Sequence, residues 1–196
     1  MEYGEIKDAV RKGDITIISS LNITDVDFLN DLLHTATDEG KLEMVEYLTE
    51  RGANKYKHAL RWAAFKGHID IVKFLVTKVV DDASLLYAIL GRQKEVVELL
   101  IQHGVDVHAN DEYALTLAID KRYTEIVECL IKAGADVRKV DYDSLLKNNY
   151  KEVLKVILDS MTEEELLPFL VSKNEKVRKY AKKSLKKKYK IGTDDF

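Results

Sequence analysis

The chain has 196 residues, of which 46% are hydrophobic and 33% charged, enough for one sizeable domain and too apolar to be read as disordered. Its formal net charge of −3 hides an asymmetry: residues 173–190 carry ten Lys or Arg and one acid, Glu175, against 21 basic and 31 acidic side chains in residues 1–172. The lone Cys129 excludes an internal disulfide, no Cys/His cluster has metal-ligand spacing, and no apolar run approaches the ~18 residues that span a bilayer.

The opening Met1-Glu2-Tyr3-Gly4-Glu5 lacks a basic lead and an apolar core, so no signal peptide is expected, and a soluble cytosolic or nuclear chain is. A spaced pattern then begins: a small residue, a glycine-type turn position four later, and two apolar pairs three apart. It shows first as Ala9, Gly13, Ile17-Ile18 and Ser20-Leu21. Residues 22–31, with Asn22, Thr24, Asp25, Asp27, Asn30 and Asp31, read as an acidic loop that interrupts it. The pattern returns at Leu33 to Ala36, Gly40, Met44-Val45 and Tyr47-Leu48, and is fullest from Ala59 to Leu75. It recurs at Leu85 to Ala88 with Val96-Val97 and Leu99-Leu100, and at Leu115 to Ala118 with Ile126-Val127 and Cys129-Leu130. A degenerate copy follows at Leu145, Asn149, Val153-Leu154 and Val156-Ile157. Between Ala9, Ala36, Ala63, Ala88, Ala118 and Leu145 the steps are 27, 27, 25, 30 and 27 residues.

Two short runs of apolar residues at helical spacing, parted by a turn, predict a helix–turn–helix unit with one buried face per helix. One such hairpin cannot bury its own core, whereas stacked copies bury theirs against each other. Alanines in the first helix let neighbouring backbones approach. A single proline, Pro168, suits stacked helices better than a β-rich fold.

The run Leu60-Arg61-Trp62-Ala63-Ala64, followed by Gly67-His68, Ile71-Val72 and Phe74-Leu75, resembles the ankyrin repeat. So do Arg51-Gly52-Ala53 and Ala133-Gly134-Ala135-Asp136-Val137, and the resemblance covers residues 5–158. It implies an all-α ankyrin-repeat solenoid, with repeats at about 32–55, 56–81, 82–110, 111–139 and 140–158, after an N-terminal capping repeat and acidic loop in 1–31. The steps are shorter than the ~33 residues usual for the family. The Thr-Pro-Leu-His opening is replaced by His58-Ala59-Leu60-Arg61 and Tyr113-Ala114-Leu115-Thr116, so shortened turn fingers are expected. The Tyr-Ala-Leu opening and the Gly67 to Leu75 run resemble the ankyrin families of giant DNA viruses of amoebae. That style implies a viral or bacterial host-directed effector in a host cytoplasm.

After the last copy, Thr162-Glu163-Glu164-Glu165 is a capping-box pattern that predicts a helix through Leu166, Leu167, Phe169, Leu170 and Val171, with Pro168 near its first turn. A second helix is predicted from Glu175 to Tyr189, with Val177, Tyr180, Ala181 and Leu185 on one face and lysines on the other. Residues 159–196 are thus expected to form a helical cap with a basic last helix, and Gly192 to Phe196 to fray.

The family resemblance implies a non-catalytic scaffold or adaptor that binds another protein through its concave surface. Carried onto this chain, that surface comprises Asp38, Glu39, Tyr56, Lys57, Phe65, Lys66, Leu90, Asp111, Glu112, Asp120 and Lys121, with Asp141 and Asp143 beyond them. Phe65 reads equally as a partner anchor or as packing on its neighbour, and Trp62 as core. The alternative site is the basic patch of Lys179, Lys182, Lys183, Lys186 and Lys187, which suits nucleic acid or an anionic membrane. With arginine scarce and no aromatic platform, a solvated cap face is the favoured account and nucleic acid is not expected. A monomer without cofactor is expected.

None of His34, His58, His68, His103 and His108 has a metal-ligand partner set; His34 and His68 occupy ankyrin positions where imidazole orders a turn. His108 falls where many repeats carry a hydroxylated asparagine. Cys129 takes an apolar slot and is expected to be buried. No Gly-x-Ser-x-Gly, phosphate-binding loop or paired carboxylate motif supports catalysis.

Overall fold

In the computed structural model, which describes residues 2–189, each copy of the repeated pattern is a helical hairpin closed by the same left-handed turn. Four residues after each small position, the backbone turns left-handed, at Gly13, Gly40, Gly67, Arg92, Arg122 and Asn149, with φ between +57° and +81°. The next residue's N–H donates back to the carbonyl of the small position. The six bonds, Asp14 to Ala9, Lys41 to Ala36, His68 to Ala63, Gln93 to Ala88, Tyr123 to Ala118 and Tyr150 to Leu145, span 2.7–3.0 Å. This is a helix C-cap of the Schellman type, which satisfies a carbonyl that the helix end leaves open. Glycine fits it without a Cβ clash. The later copies use arginine or asparagine instead, which is why their turn signal is weak in the sequence.

The chain divides into two compact units between Asp106 and Val107. The first holds four hairpins: α1 (Tyr3–Lys12) with α2 (Ile15–Ser20), α3 (Val26–Asp38) with α4 (Leu42–Glu50), α5 (Tyr56–Lys66) with α6 (Ile69–Val76), and α7 (Ala83–Leu90) with α8 (Lys94–Gln102). First helices stack on first helices, α1 on α3, α3 on α5 and α5 on α7, while α4, α6 and α8 stack behind them. Ala9, Ala36, Ala63 and Ala88 sit in these contacts at no more than 4% exposure, and small side chains there bring the backbones close. At Gly91 the approach leaves no room for a side chain: a Cβ there would lie 1.9 Å from the Phe65 carbonyl oxygen.

Side chains lock one turn onto the next. His68 lies over Gly40, its Nε2 3.1 Å from the Asp38 carbonyl, and Gln93 lies over Gly67, its Nε2 donating to the Phe65 carbonyl at 3.4 Å. The predicted turn-ordering role of His68 is thus visible, one repeat upstream of its own position. At the opposite end of the helices, buried Asn30 accepts from the backbone N–H groups of Asn54 and Lys55, and Asp82 accepts from that of Asp106. Short connections replace the projecting fingers, with no strand among the described residues.

The second unit comprises α9 (Ala109–Asp120) with α10 (Thr124–Lys132), a 3-10 turn over Val137–Lys139, α11 (Tyr142–Lys147) with α12 (Lys151–Ser160), then α13 (Glu163–Leu170) and α14 (Glu175–Tyr189). α10 packs on α12, and α12 and α13 pack on α14. The Thr162 and Glu165 side chains make the predicted capping box, and Val177, Ala181 and Leu185 are buried as predicted.

Two expectations are corrected. The acidic stretch 22–31 is not a loop throughout: Asp25 caps α3 by accepting from the Asp27 and Phe28 N–H groups, so Asp27, Asn30 and Asp31 are helical. Pro168 lies in the second turn of α13, not its first, and the helix ends two residues later. The expected fraying of Gly192 to Phe196 lies outside the described residues. Among the described residues, no helix is long and apolar enough to cross a membrane.

Candidate functional site

On α5 the buried positions Ala59, Leu60, Ala63 and Ala64 leave His58, Trp62 and Phe65 as a stripe on the opposite face, flanked by Arg61 and Lys66. On α3 the corresponding face carries Asp27, Asp31, His34 and Asp38. The two faces interlock. The Trp62 indole Nε1 donates to Asp38 Oδ1 at 2.7 Å, and Lys66 Nζ reaches the same oxygen at 2.7 Å. These two hydrogen bonds, Lys66 first, hold the Asp38 carboxyl below the usual carboxylate range. The Trp62 ring stacks on Phe65 with centroids 5.5 Å apart and meets His34 at the same distance; His34 in turn lies edge-on to His58 at 5.0 Å. Burial, with smaller contributions from the charges of His34, Arg61 and Lys55, pushes the His58 imidazole below its ordinary value.

The other acids of α3 are also answered. Asp31 accepts from Lys7 Nζ and from the Tyr3 phenol on α1, the phenol being the larger cause of its lowered pKa. Lys55 reaches Asp27 at 3.5 Å. On the far side of α5, Arg61 forks onto buried Asp81 through Nε and Nη2 at 2.7 and 2.8 Å. What this face leaves uncommitted is apolar: half-buried Trp62 and Phe65, and beside them on α7 Leu90, 43% exposed, at the position one repeat on from Phe65. Glu39, Lys57 and Lys66 are exposed around them.

The family pattern described as "Ankyrin repeats (3 copies)" matches residues 6–84 and 80–141. The chain belongs to the ankyrin repeat family. It is 38% identical over 88 residues to the human Notch-regulated ankyrin repeat-containing protein, covering 37% of this chain and 77% of that one, and equally to the mouse protein of the same name. Ankyrin repeats are generally protein–protein interaction modules.

Of the residues expected on the ankyrin binding surface, the first unit brings together Asp38, Phe65 and Lys66 around Trp62, with Glu39, Lys57 and Leu90 at the edges. Tyr56 does not join them: it shares a helical face with buried Leu60 and Ala63. Trp62, expected in the core, is half-buried with its indole N–H on Asp38. The signal for that placement was available in its spacing to His58 and Phe65.

In the second unit, Asp111, Asp120 and Lys121 are exposed, with Asp111 paired to Lys139. Glu112 is corrected: it is 3% exposed. Asn110, Asp111 and Glu112 all have φ above +50°, which turns the Glu112 side chain inward, where His108 Nδ1 donates to its Oε1 at 2.5 Å. Its other oxygen is buried without a hydrogen-bond partner among the described residues. Close by, the Arg138 guanidinium holds the Asp136 carboxyl down at about 2 through hydrogen bonds to both its oxygens.

The basic helix α14 has two distinct sides. Ser184 Oγ and Lys187 Nζ donate to Asp159 of α12 at 2.6 and 2.9 Å, and Lys188 Nζ donates to the Met161 carbonyl. Burial opposes ionisation of Asp159, but those two hydrogen bonds outweigh it and lower its pKa. Lys186 is half-buried and Lys182 exposed, while Lys179 and Lys183 line a cleft against the preceding hairpin. Cys129 is half-buried rather than buried.

Proposed function

We propose that the chain is a non-catalytic partner-binding module that docks a protein on the first-helix face of its N-terminal unit. The observation that carries this reading is the apolar stripe of Trp62, Phe65 and Leu90, which adjoining helices present outward while the nearest charges, Asp38 with Lys66 and Arg61 with Asp81, are paired with each other. A fixed aromatic centre with a charged rim is the arrangement in which a few residues supply most of an interface's affinity. The paired Asp38 and Lys66 shape the rim and set specificity more than affinity.

The host-directed, cytoplasmic role rests on the style of the repeats and adds no residue to the site. The experiment is affinity capture from a eukaryotic extract at ~0.5 M salt, where the Debye length is a few ångströms, with wild-type chain and the double variant Phe65→Ser, Leu90→Ser. A discrete partner held by wild type and lost by the variant, with helical signal unchanged, supports the reading. An identical set of captured proteins overturns it.

A further inference from the structure

The cleft between α14 and the hairpin of α11 and α12 has a volume of about 400 Å³ and is lined by Lys151, Lys176, Lys179, Tyr180 and Lys183, together with Leu146 and Asn149. Lys176, Lys179 and Lys183 fall at i, i+3 and i+7, one stripe of the helix, and Lys151 faces them from another element. None of these four ammonium groups has an ion-pair partner among the described residues, whereas Lys187, on another side of the same helix, is engaged with Asp159. No carboxylate among the described residues lines the cleft.

A second feature acts in the same direction. Lys151 is the first residue of α12, a helix of ten residues whose N-cap, Tyr150, contributes no side-chain hydrogen bond. The backbone N–H groups of Lys151, Glu152 and Val153 have no acceptor among the described residues, so the positive end of the helix dipole stands uncapped beside the lysines. The Tyr180 phenol has no hydrogen-bond partner among the described residues either, and adds a neutral donor.

We infer that this cleft binds a compact polyphosphate, a molecule with several phosphate groups clustered on a small frame, either free or as a lipid headgroup. Four converging unpaired lysines suit clustered charge, and lysine binds phosphate as a point charge without needing the planar fork of arginine. The cleft is small and bounded, and it lacks the extended basic track and stacking rings that a nucleic-acid strand uses. The inference is independent of the partner-binding face, since it concerns residues of the second unit alone.

The test uses the full chain and inositol hexakisphosphate in calorimetric titration at ~0.15 M salt, where exposed charges are already screened beyond about 8 Å. The double variant Lys179→Glu, Lys183→Glu should weaken binding by about tenfold or more, and Lys179→Gln, Lys183→Gln by less, a graded loss expected where charge neutralisation drives affinity. Lys155→Glu, Lys182→Glu makes the same change of net charge outside the cleft and should stay within about threefold of wild type. Sedimentation with phosphatidylcholine vesicles containing a phosphoinositide separates the sources: co-sedimentation assigns a headgroup, and its absence beside titrated heat assigns a free polyphosphate. Three results overturn the inference: no heat with wild type, equal losses in the two charge-reversal variants, or tighter binding of a single-stranded 20-nucleotide DNA, which would make the helix a nucleic-acid site.

Discussion

Trp62 donates its indole N–H to Asp38, one repeat upstream, at 2.7 Å, and Lys66 closes on the same oxygen. One carboxylate thereby orients the ring that forms the centre of the proposed docking face. Replacing Asp38 by Ala removes the acceptor for both donors. Because the group is partly exposed, the expected cost is about 1 kcal/mol of stability. Trp62 is the only tryptophan of the chain, so its fluorescence reports the ring directly: Asp38→Ala should shift the emission maximum, and Asp38→Asn, which keeps an oxygen acceptor for the indole N–H, should shift it less. An unshifted spectrum in Asp38→Ala would show that Asp38 does not hold the ring.

The left-handed turn makes linked predictions for two equivalent positions. Gly67 has φ +81°, and a Cβ there would lie 2.4 Å from the Gln93 side chain. Gly67→Ala should therefore cost about 1–2 kcal/mol, the penalty of a left-handed residue. Arg92 holds the same conformation at φ +57°, and Arg92→Gly should be more stable than Arg92→Ala by about 0.5 kcal/mol, since both lose the arginine side chain and only alanine keeps the left-handed penalty, offset in part by the greater freedom of glycine in the unfolded chain. Chemical denaturation of these variants checks the signs.

The same turn explains what was legible in the sequence. The repeat, the all-α class and the two C-terminal helices could be read because small residue, turn and apolar pairs recur at fixed spacing, and periodicity records the buried face. Trp62 was misassigned because its slot in the repeat is ordinarily apolar and inward, whereas on α5 it shares the outward stripe with His58 and Phe65 and is only half-buried. The start of α3 was missed because its N-cap, Asp25, stands in a run of acids and asparagine that reads as loop. Glu112 carried no signal at all: its burial follows from three successive left-handed residues, of which only Asn110 and Asp111 belong to types that tolerate that conformation. The cleft lysines were visible as a charged run, but Lys151 joins them only through the packing of α12 on α14.

The His58 imidazole gives a pH dependence whose sign is fixed by its environment. Its folded pKa lies below 6.5, first through burial and then through His34, Arg61 and Lys55. The unfolded chain therefore binds the proton more readily, and stability falls as pH drops through 6.5 towards the folded value. Asp31 and Asp38 are lowered instead, so their contribution is complete above the ordinary carboxylate value of 3.8 and is lost only below it. Between pH 7 and 5 the urea midpoint of wild type should fall, and His58→Gln should flatten that fall; a parallel slope in the variant would exclude His58 as its source.

Arg61 and Asp81 provide the most demanding test of the packing between α5 and α7. Asp81 is only 7% exposed, and both its oxygens accept from one guanidinium while its carbonyl accepts from Ser84 Oγ at 2.6 Å. Removing the arginine leaves a buried carboxylate without its counter-charge, and since Arg61 itself is about one-third exposed, the loss is partly softened by water. Arg61→Ala should cost about 2 kcal/mol, and Arg61→Lys more than half of that, because an ammonium cannot satisfy both oxygens. The double variant Arg61→Ala, Asp81→Ala removes the orphaned charge and should be less destabilised than the two single variants added together. Strict additivity in that cycle would mean that the pair, despite its geometry, contributes nothing as a pair.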